Sequence, residues 1–287
     1  MVEIAGLAWT EHRDPSTAVP PGPSLGAVPS TAATWAGACP ERTQRAQGKR
    51  LGDLPLVLIH GAGGSRLSWP PALRRMPGAH VFAVDLPGHG RASGEGRATI
   101  GAYSEAVLDW LRKQEIGPAV LVGHSMGAAI ALTAAARRES PVAGLVLLGL
   151  ARRLMVNPRL MELSATPETA PAAVEKVIEW GFAVGTPAER LEPTRQSMLE
   201  IAPAVLRGDF VACDHFDAGS RLGELRVPTL VACGEFDRMT PPEDCRRLAE
   251  AIPGSRFHLV PGAGHMLMIE RPDEVAELVN EFVRGIL

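Results

Sequence analysis

Residues 123–127 read Gly-His-Ser-Met-Gly, placed directly after the apolar run 119–122 and directly before the small, apolar stretch 127–132. A G-x-S-x-G in that setting describes a strand, a sharp corner and a helix, with the serine at the corner and its oxygen exposed above a sheet edge. The glycines have a steric reason: side chains two residues either side of a strained corner would collide with neighbouring backbone. The alanine-rich residues 128–136 let the following helix lie close to the sheet and aim its N-terminal amides at the corner. Ser125 is therefore the candidate nucleophile. A glycine-flanked turn without chemistry carries the same five letters, so the rest of the chain must supply partners.

Serine is a weak nucleophile at neutral pH and needs a base and something to orient that base. After the strand-like residues 229–233 comes Gly-Glu-Phe-Asp-Arg, ending in Asp237 and Arg238. After residues 257–260 comes Pro-Gly-Ala-Gly-His, ending in His265. Both polar residues lie just past a predicted strand, and the strand ends of an open α/β sheet meet at one edge. Ser125, Asp237 and His265 can therefore converge although far apart in sequence. Asp85 also ends a predicted strand at that edge and is the rival to Asp237 as orienter; Asp237 is preferred because its loop precedes the histidine strand.

The predicted strand 54–59 runs into His60-Gly61-Ala62-Gly63-Gly64. Glycines let backbone amides approach a ligand closely, and amides aimed at a developing oxyanion lower its barrier. The amides of Met126 and Ala62 are assigned as the donors, with Gly63 as second choice for the latter. A dinucleotide or phosphate loop would need G-x-G-x-x-G or G-x-x-x-x-G-K-[ST], and neither pattern is completed here.

Taken together, HGAGG at 60–64, DLPGHG at 85–90, GHSMG at 123–127, GEFD at 234–237 and GAGH at 262–265 resemble the α/β-hydrolase superfamily over residues 52–287. The resemblance implies a doubly wound, mostly parallel eight-stranded sheet with a helical lid inserted after the sixth strand. It also implies a catalytic triad of Ser125, Asp237 and His265, in that order along the chain. The expected organisation is an N-terminal segment 1–50, core 51–150, lid 151–222 and core 223–287. An imidazole base implies activity that falls as the pH drops through the ordinary histidine range, near ~6.5.

The lid segment breaks the βα rhythm and reads as helices at 158–163, 171–182 and 187–206, the last with possible breaks, followed by a stretch ending at 209–213. Met155, Met161, Trp180 and Phe210 from this segment, with Gly63, Trp69 and Met266 from the core, are the candidate substrate contacts; the bland alternative is that the lid residues only hold the helices together. His60 and His89 are expected to make structural hydrogen bonds, and His124 to point away into the fold. Asp214, His215 and Asp217 cluster near the return from the lid and read as a polar hinge rather than a metal site.

Composition limits the remaining classes. With 287 residues, 46% of them hydrophobic, and 29 basic against 32 acidic side chains, the chain can build one sizeable core plus an insertion. No basic stripe suggests nucleic acid, and no apolar run approaches the ~20 residues that span a bilayer. The start, Met-Val-Glu-Ile, lacks the pattern of a secretion signal, and the four cysteines form no C-x-x-C pair, so reduced thiols and a cytoplasmic location are expected. No cofactor or metal is expected, and the protein is expected to be a monomer or homodimer. Residues 14–50, rich in proline, read as extended or disordered, and an edge strand is expected at 4–10.

The expected function is hydrolysis of small to medium apolar carboxylic esters through an acyl-enzyme. The same triad could serve C–C bond, thioester or lactone hydrolysis or cofactor-free peroxidation, and a non-catalytic binding protein could reuse the fold.

Overall fold

The computed structural model describes residues 6–14 and 51–287, so residues 15–50 of the proline-rich stretch, Cys39 among them, lie outside the described residues. The strands are β1 (Ala8–Arg13), β2 (Leu56–Ile59), β3 (His80–Asp85), β4 (Ala119–His124), β5 (Val142–Leu148), β6 (Thr229–Gly234) and β7 (Arg256–Val260). They form one seven-stranded sheet in the order β1-β3-β2-β4-β5-β6-β7. Only β1 runs antiparallel to its neighbour, and the other pairs are parallel. The doubly wound, mostly parallel class is as expected, with seven strands among the described residues where the resemblance implies eight.

Of the edge strand expected at 4–10, residues 4 and 5 lie outside the described residues, and the described strand ends later than residue 10. It runs on through Glu11, His12 and Arg13, pairing Ala8 with Asp85 and Arg13 with His80. An edge strand has one side in water, so the charged residues that seem to end it are compatible with its pairing.

The central strands are covered on both faces, which is why they read as continuous apolar runs. Val57 and Ile59 of β2 join one core cluster with Leu121 of β4, Leu147 of β5 and Val231 of β6. Leu56 and Leu58 join the opposite cluster with Val122, Val146 and Ala232. The helices, in chain order, are α1 (Pro71–Arg74), α2 (Ile100–Lys113), α3 (Met126–Ala135), α4 (Pro158–Leu163), α5 (Ala170–Gly181), α6 (Ala188–Leu199), α7 (Pro203–Asp214), α8 (Pro242–Glu250), α9 (Leu267–Glu270) and α10 (Pro272–Arg284). Buried residues of α2, α3 and α8 belong to the first cluster, whereas those of α1 and α10 belong to the second.

Helix α10 shows why these boundaries fall where they do. Pro272 occupies its start, Asp273 and Glu274 sit in its first turn and Arg284 in its last, all favourable to the helix dipole. Val275, Val279, Phe282 and Val283 then form the buried stripe.

The insertion between β5 and β6 consists of α4 to α7. Residues 209–213 are not a separate stretch but the end of α7, which begins at Pro203 because proline fits the first helical turn and cannot continue the preceding helix. Leu160, Val174, Val177, Leu206 and Phe210 anchor the insertion on the second core cluster.

The strand order reverses beside β2: the chain moves from β2 outward to β3 and then crosses back to β4 on the other side. In open α/β sheets a ligand crevice forms at the carboxyl ends of strands where the order reverses. The loops after β2 and β4 carry residues 60–64 and Ser125. Their approach is close enough to require glycine: a Cβ on Gly127 would stand 2.1 Å from the Ile59 carbonyl oxygen, and one on Gly123 2.3 Å from that of Gly127. Among the described residues no helix is long and apolar enough to cross a membrane.

Candidate active site

Ser125 sits between β4 and α3 with φ 51° and ψ −116°, a conformation that costs an L-residue about 1–3 kcal/mol. Its N–H donates to the Leu148 carbonyl at 2.8 Å, and its carbonyl accepts from Ala128 (2.9 Å) and Ala129 (3.1 Å), so both sides of the residue are pinned. Met126 is the first residue of α3, and a helix offers its first amides no internal acceptor.

His265 is 2% exposed and follows β7. Its Nδ1 meets Asp237 Oδ2 at 2.8 Å. A carboxylate can only accept, so Nδ1 carries the proton and Nε2 of the neutral ring is left with a lone pair. The carboxylate is itself fixed: Oδ1 accepts from the amides of Met239 (2.9 Å) and Thr240 (2.8 Å), and Oδ2 from Thr240 Oγ1 (2.7 Å). Burial pushes the Asp237 carboxyl up, but the adjacent His265 and the hydrogen bonds from Thr240 outweigh it and hold it below the ordinary aspartate value. Asp85 is engaged elsewhere, accepting from the Arg66 amide at 2.7 Å and from its guanidinium, and from the Arg91 amide at 3.1 Å.

Around residues 60–64, the Leu86 amide donates to His60 Nε2 at 3.1 Å, which leaves the ring proton on Nδ1 to donate to the Gly61 carbonyl at 2.8 Å. The Gly64 amide donates to that same carbonyl at 3.1 Å. In a trans peptide C=O and N–H point opposite ways, so fixing the Gly61 oxygen fixes the direction of the Ala62 N–H. The Gly63 amide donates instead to Asp209 Oδ2 at 2.8 Å, which removes it as the alternative oxyanion donor.

Ala62, Ser125 and His265 line one cavity of about 50 Å³, together with Met198, Phe210, Met266 and others. A wider cleft of about 670 Å³ adjoins it between the loop at 65–71 and α6; Ser68, Thr194 and Ile269 line both. Of the expected substrate contacts, Phe210 and Met266 reach the cavity. Trp69 does not: it is fully buried in the core beneath, because its indole packs on the sheet side of the loop. Met155 is 80% exposed on the outside of the insertion. Met161 and Trp180 pack on the second core cluster, the latter beneath Lys176. Gly63 is turned towards Asp209, and a Cβ there would strike Leu206 and Met198 at 2.8 Å.

His124 lies against the site and not away from it. Its ring lies against that of His265, 4.8 Å between centroids and tilted by 53°, and its Nε2 donates to the His265 carbonyl at 2.9 Å. Sequence reasoning missed three further residues. Thr240 braces Asp237. Gly149 makes room for the imidazole, since a Cβ there would lie 3.0 Å from His265 Cε1. Glu270, 2% exposed, accepts from the amides of Gly264 (2.7 Å) and Ala183 (2.8 Å), tying the histidine loop to the insertion. Asp217 pairs with Arg153 and Asp214 accepts from the Val156 amide. Among the described residues no group of three or more His, Cys, Asp or Glu could hold a metal ion.

Burial lowers the pKa of both His60 and His124 to about 3, each helped by a neighbouring histidine, His89 and His265 respectively. Such rings stay neutral in the fold but protonate near 6.5 once unfolded, so their stabilising effect is lost progressively as pH falls from about 6.5 towards 3. His89, whose pKa is raised, gives its full contribution below the unfolded value and does not offset this loss. Between pH 6.5 and about 4.5 the loss is expected to reach roughly 2 kcal/mol per ring. Urea unfolding at the two pH values measures it; an unchanged midpoint would show that the two rings are not buried neutral.

A model of the alpha/beta hydrolase family matches residues 56–278. The dihydrolipoyllysine-residue acetyltransferase component of the acetoin cleaving system from Pseudomonas putida is 32% identical over 256 residues, covering 81% of this chain and 64% of that protein. The chain thus spans less than two thirds of the length of such curated relatives. Among solved structures, a thermophilic esterase from Thermogutta terrifontis is similar with TM-score 0.73 and 29% identity, covering 81% of this chain and 90% of that one. The enol-lactonase from Burkholderia xenovorans LB400 is similar with TM-score 0.73 and 26% identity, covering 80% and 91%.

Proposed function

The chain belongs to the alpha/beta hydrolase family, and from that premise we propose that it is a serine hydrolase cleaving small to medium carboxylic esters through Ser125, His265 and Asp237. The observation that carries this reading is the joint one: Ser125 and His265 line the same cavity, and His265 Nδ1 is bonded to Asp237.

In this reading His265 Nε2 takes the proton of Ser125 as its oxygen attacks the ester carbonyl. The amides of Met126 and Ala62 hold the negative oxygen, and Asp237 stabilises the imidazolium without taking the proton. The imidazolium then protonates the leaving alcohol, giving an acyl-enzyme. Water, deprotonated by the same ring, attacks that intermediate and releases the acid. The helical insertion acts as a lid: it supplies Met198 and Phe210 to the cavity roof. The enclosed cavity takes the smaller side of the ester, and the cleft behind Thr194 takes the remainder.

Substrate class follows from size and polarity. The cavity lining is mostly apolar, with Val177, Met239 and Met268 beside Phe210, which favours an uncharged group on the enclosed side. Lactone hydrolysis is the second reading, favoured by the similarity to an enol-lactonase. Hydrolysis of p-nitrophenyl esters from acetate to octanoate, run beside simple lactones and thioesters, tests the proposal. The expected result is a maximum of kcat/KM at acetate to butyrate; cleavage of lactones or thioesters alone would replace the ester reading.

A further inference from the structure

The side chain of Asp209 is fully buried and is not among the groups that face the cavity. It lies on α7, yet its three partners come from three other segments. Oδ2 accepts from the Gly63 amide at 2.8 Å and from His89 Nε2 at 2.7 Å, and Oδ1 accepts from the Tyr103 hydroxyl at 2.7 Å. His89 Nδ1 meets the Pro87 carbonyl at 3.0 Å, so both ring nitrogens face acceptors, an arrangement that favours the protonated ring. Burial alone would pull that ring's pKa down; the charge and hydrogen bond of Asp209 outweigh it.

A buried ion pair is a poor device for stability, because apolar side chains of the same volume do as well or better. What this pair does geometrically is join the insertion to the loop at residues 60–64. The peptide between Gly61 and Ala62 is fixed through its carbonyl by His60 and Gly64, and the peptide between Ala62 and Gly63 is fixed through its N–H by Asp209. The Ala62 amide, the second oxyanion donor in the proposed mechanism, is the N–H of the first of these peptides, and the anchored second peptide shares its Cα.

We infer that Asp209 is a positioning residue: it holds the Ala62 amide on the oxyanion through Gly63, and it makes that alignment depend on the seating of α7. The inference rests on the oxyanion role proposed for Ala62. Displacement of α7 releases the Gly63 amide and slackens the donor, so the position of the insertion and the readiness of the site are coupled. Transition-state stabilisation is affected more than binding, since the oxyanion exists only at the transition state.

Asp209→Asn tests this, with Val283→Ala as the comparison, a cavity at the last turn of α10, a helix that packs on α1. Assayed on p-nitrophenyl acetate below the melting range of both, folded Asp209→Asn is expected to lose roughly 10- to 100-fold in kcat with KM within about threefold of wild type. Val283→Ala is expected to keep wild-type kcat at a comparable loss of stability. The inference is overturned if kcat of Asp209→Asn stays within about threefold, if the loss falls on KM instead, or if Val283→Ala loses as much. Should Asp209→Asn not fold, amide hydrogen exchange of the wild type decides: Gly63 protected like the central strands supports the anchor, and Gly63 exchanging like an exposed loop removes it. Wild-type protein that neither cleaves esters nor is labelled at Ser125 by a fluorophosphonate would mark failure of the underlying hydrolase reading, not of the role given to Asp209.

Discussion

Ser125→Ala is expected to lower kcat for ester cleavage by about 10⁶-fold, down to whatever the amides and the cavity provide alone. The substitution removes one oxygen and nothing else that holds the corner. The backbone bonds of residue 125 to Leu148, Ala128 and Ala129 use main-chain atoms, and Gly123 and Gly127 still provide the close approach. KM and the melting temperature should therefore stay near their wild-type values. Retention of more than about 1% of kcat in the purified variant would mean that another group does the chemistry.

Asp237→Asn should cost about 10⁴-fold in kcat, a size typical of a lost orienter whose geometry survives. The carboxylate accepts from Met239, Thr240 and His265 at once, and every one of those partners is a donor. An amide in its place must turn an NH₂ towards one of them. If it faces His265, the ring moves its proton to Nε2 and can no longer accept from Ser125. Steady-state kinetics with a melting curve separate this from unfolding: kcat falls while the fold stays intact. A loss below about tenfold would show that His265 does not depend on Asp237 for its tautomer.

The parts of the fold that were legible in the sequence are those with a local cause. Gly123 and Gly127 are demanded by contacts of their own corner, and the apolar strands from β2 to β6 announce themselves because both faces are covered. The strand-end positions of Asp237 and His265 sufficed to place them together, because sheet topology gathers strand ends at one edge. Residues whose role depends on distant partners left no such trace. Asp209, Glu270 and Thr240 are ordinary polar residues until α7, α9 and the loop after β6 bring them against Gly63, Gly264 and His265. The apolar residues of the insertion show the same limit from the other side. Phe210, Met155 and Trp180 are equally apolar in sequence, and only the orientation of their segments decides that the first reaches the cavity while the second faces water. The edge strand was ended too early because charge at Glu11 and Arg13 ends a buried strand but not one with an open side.

Reaction of the wild-type protein with a fluorophosphonate, followed by peptide mapping in a mass spectrometer, bears most directly on the proposed chemistry. A single adduct on Ser125 is the predicted result, with labelling slowed sharply in His265→Gln and absent in Ser125→Ala. Unmodified Ser125 in folded wild-type protein, or an adduct that persists in Ser125→Ala at the same rate, would contradict it.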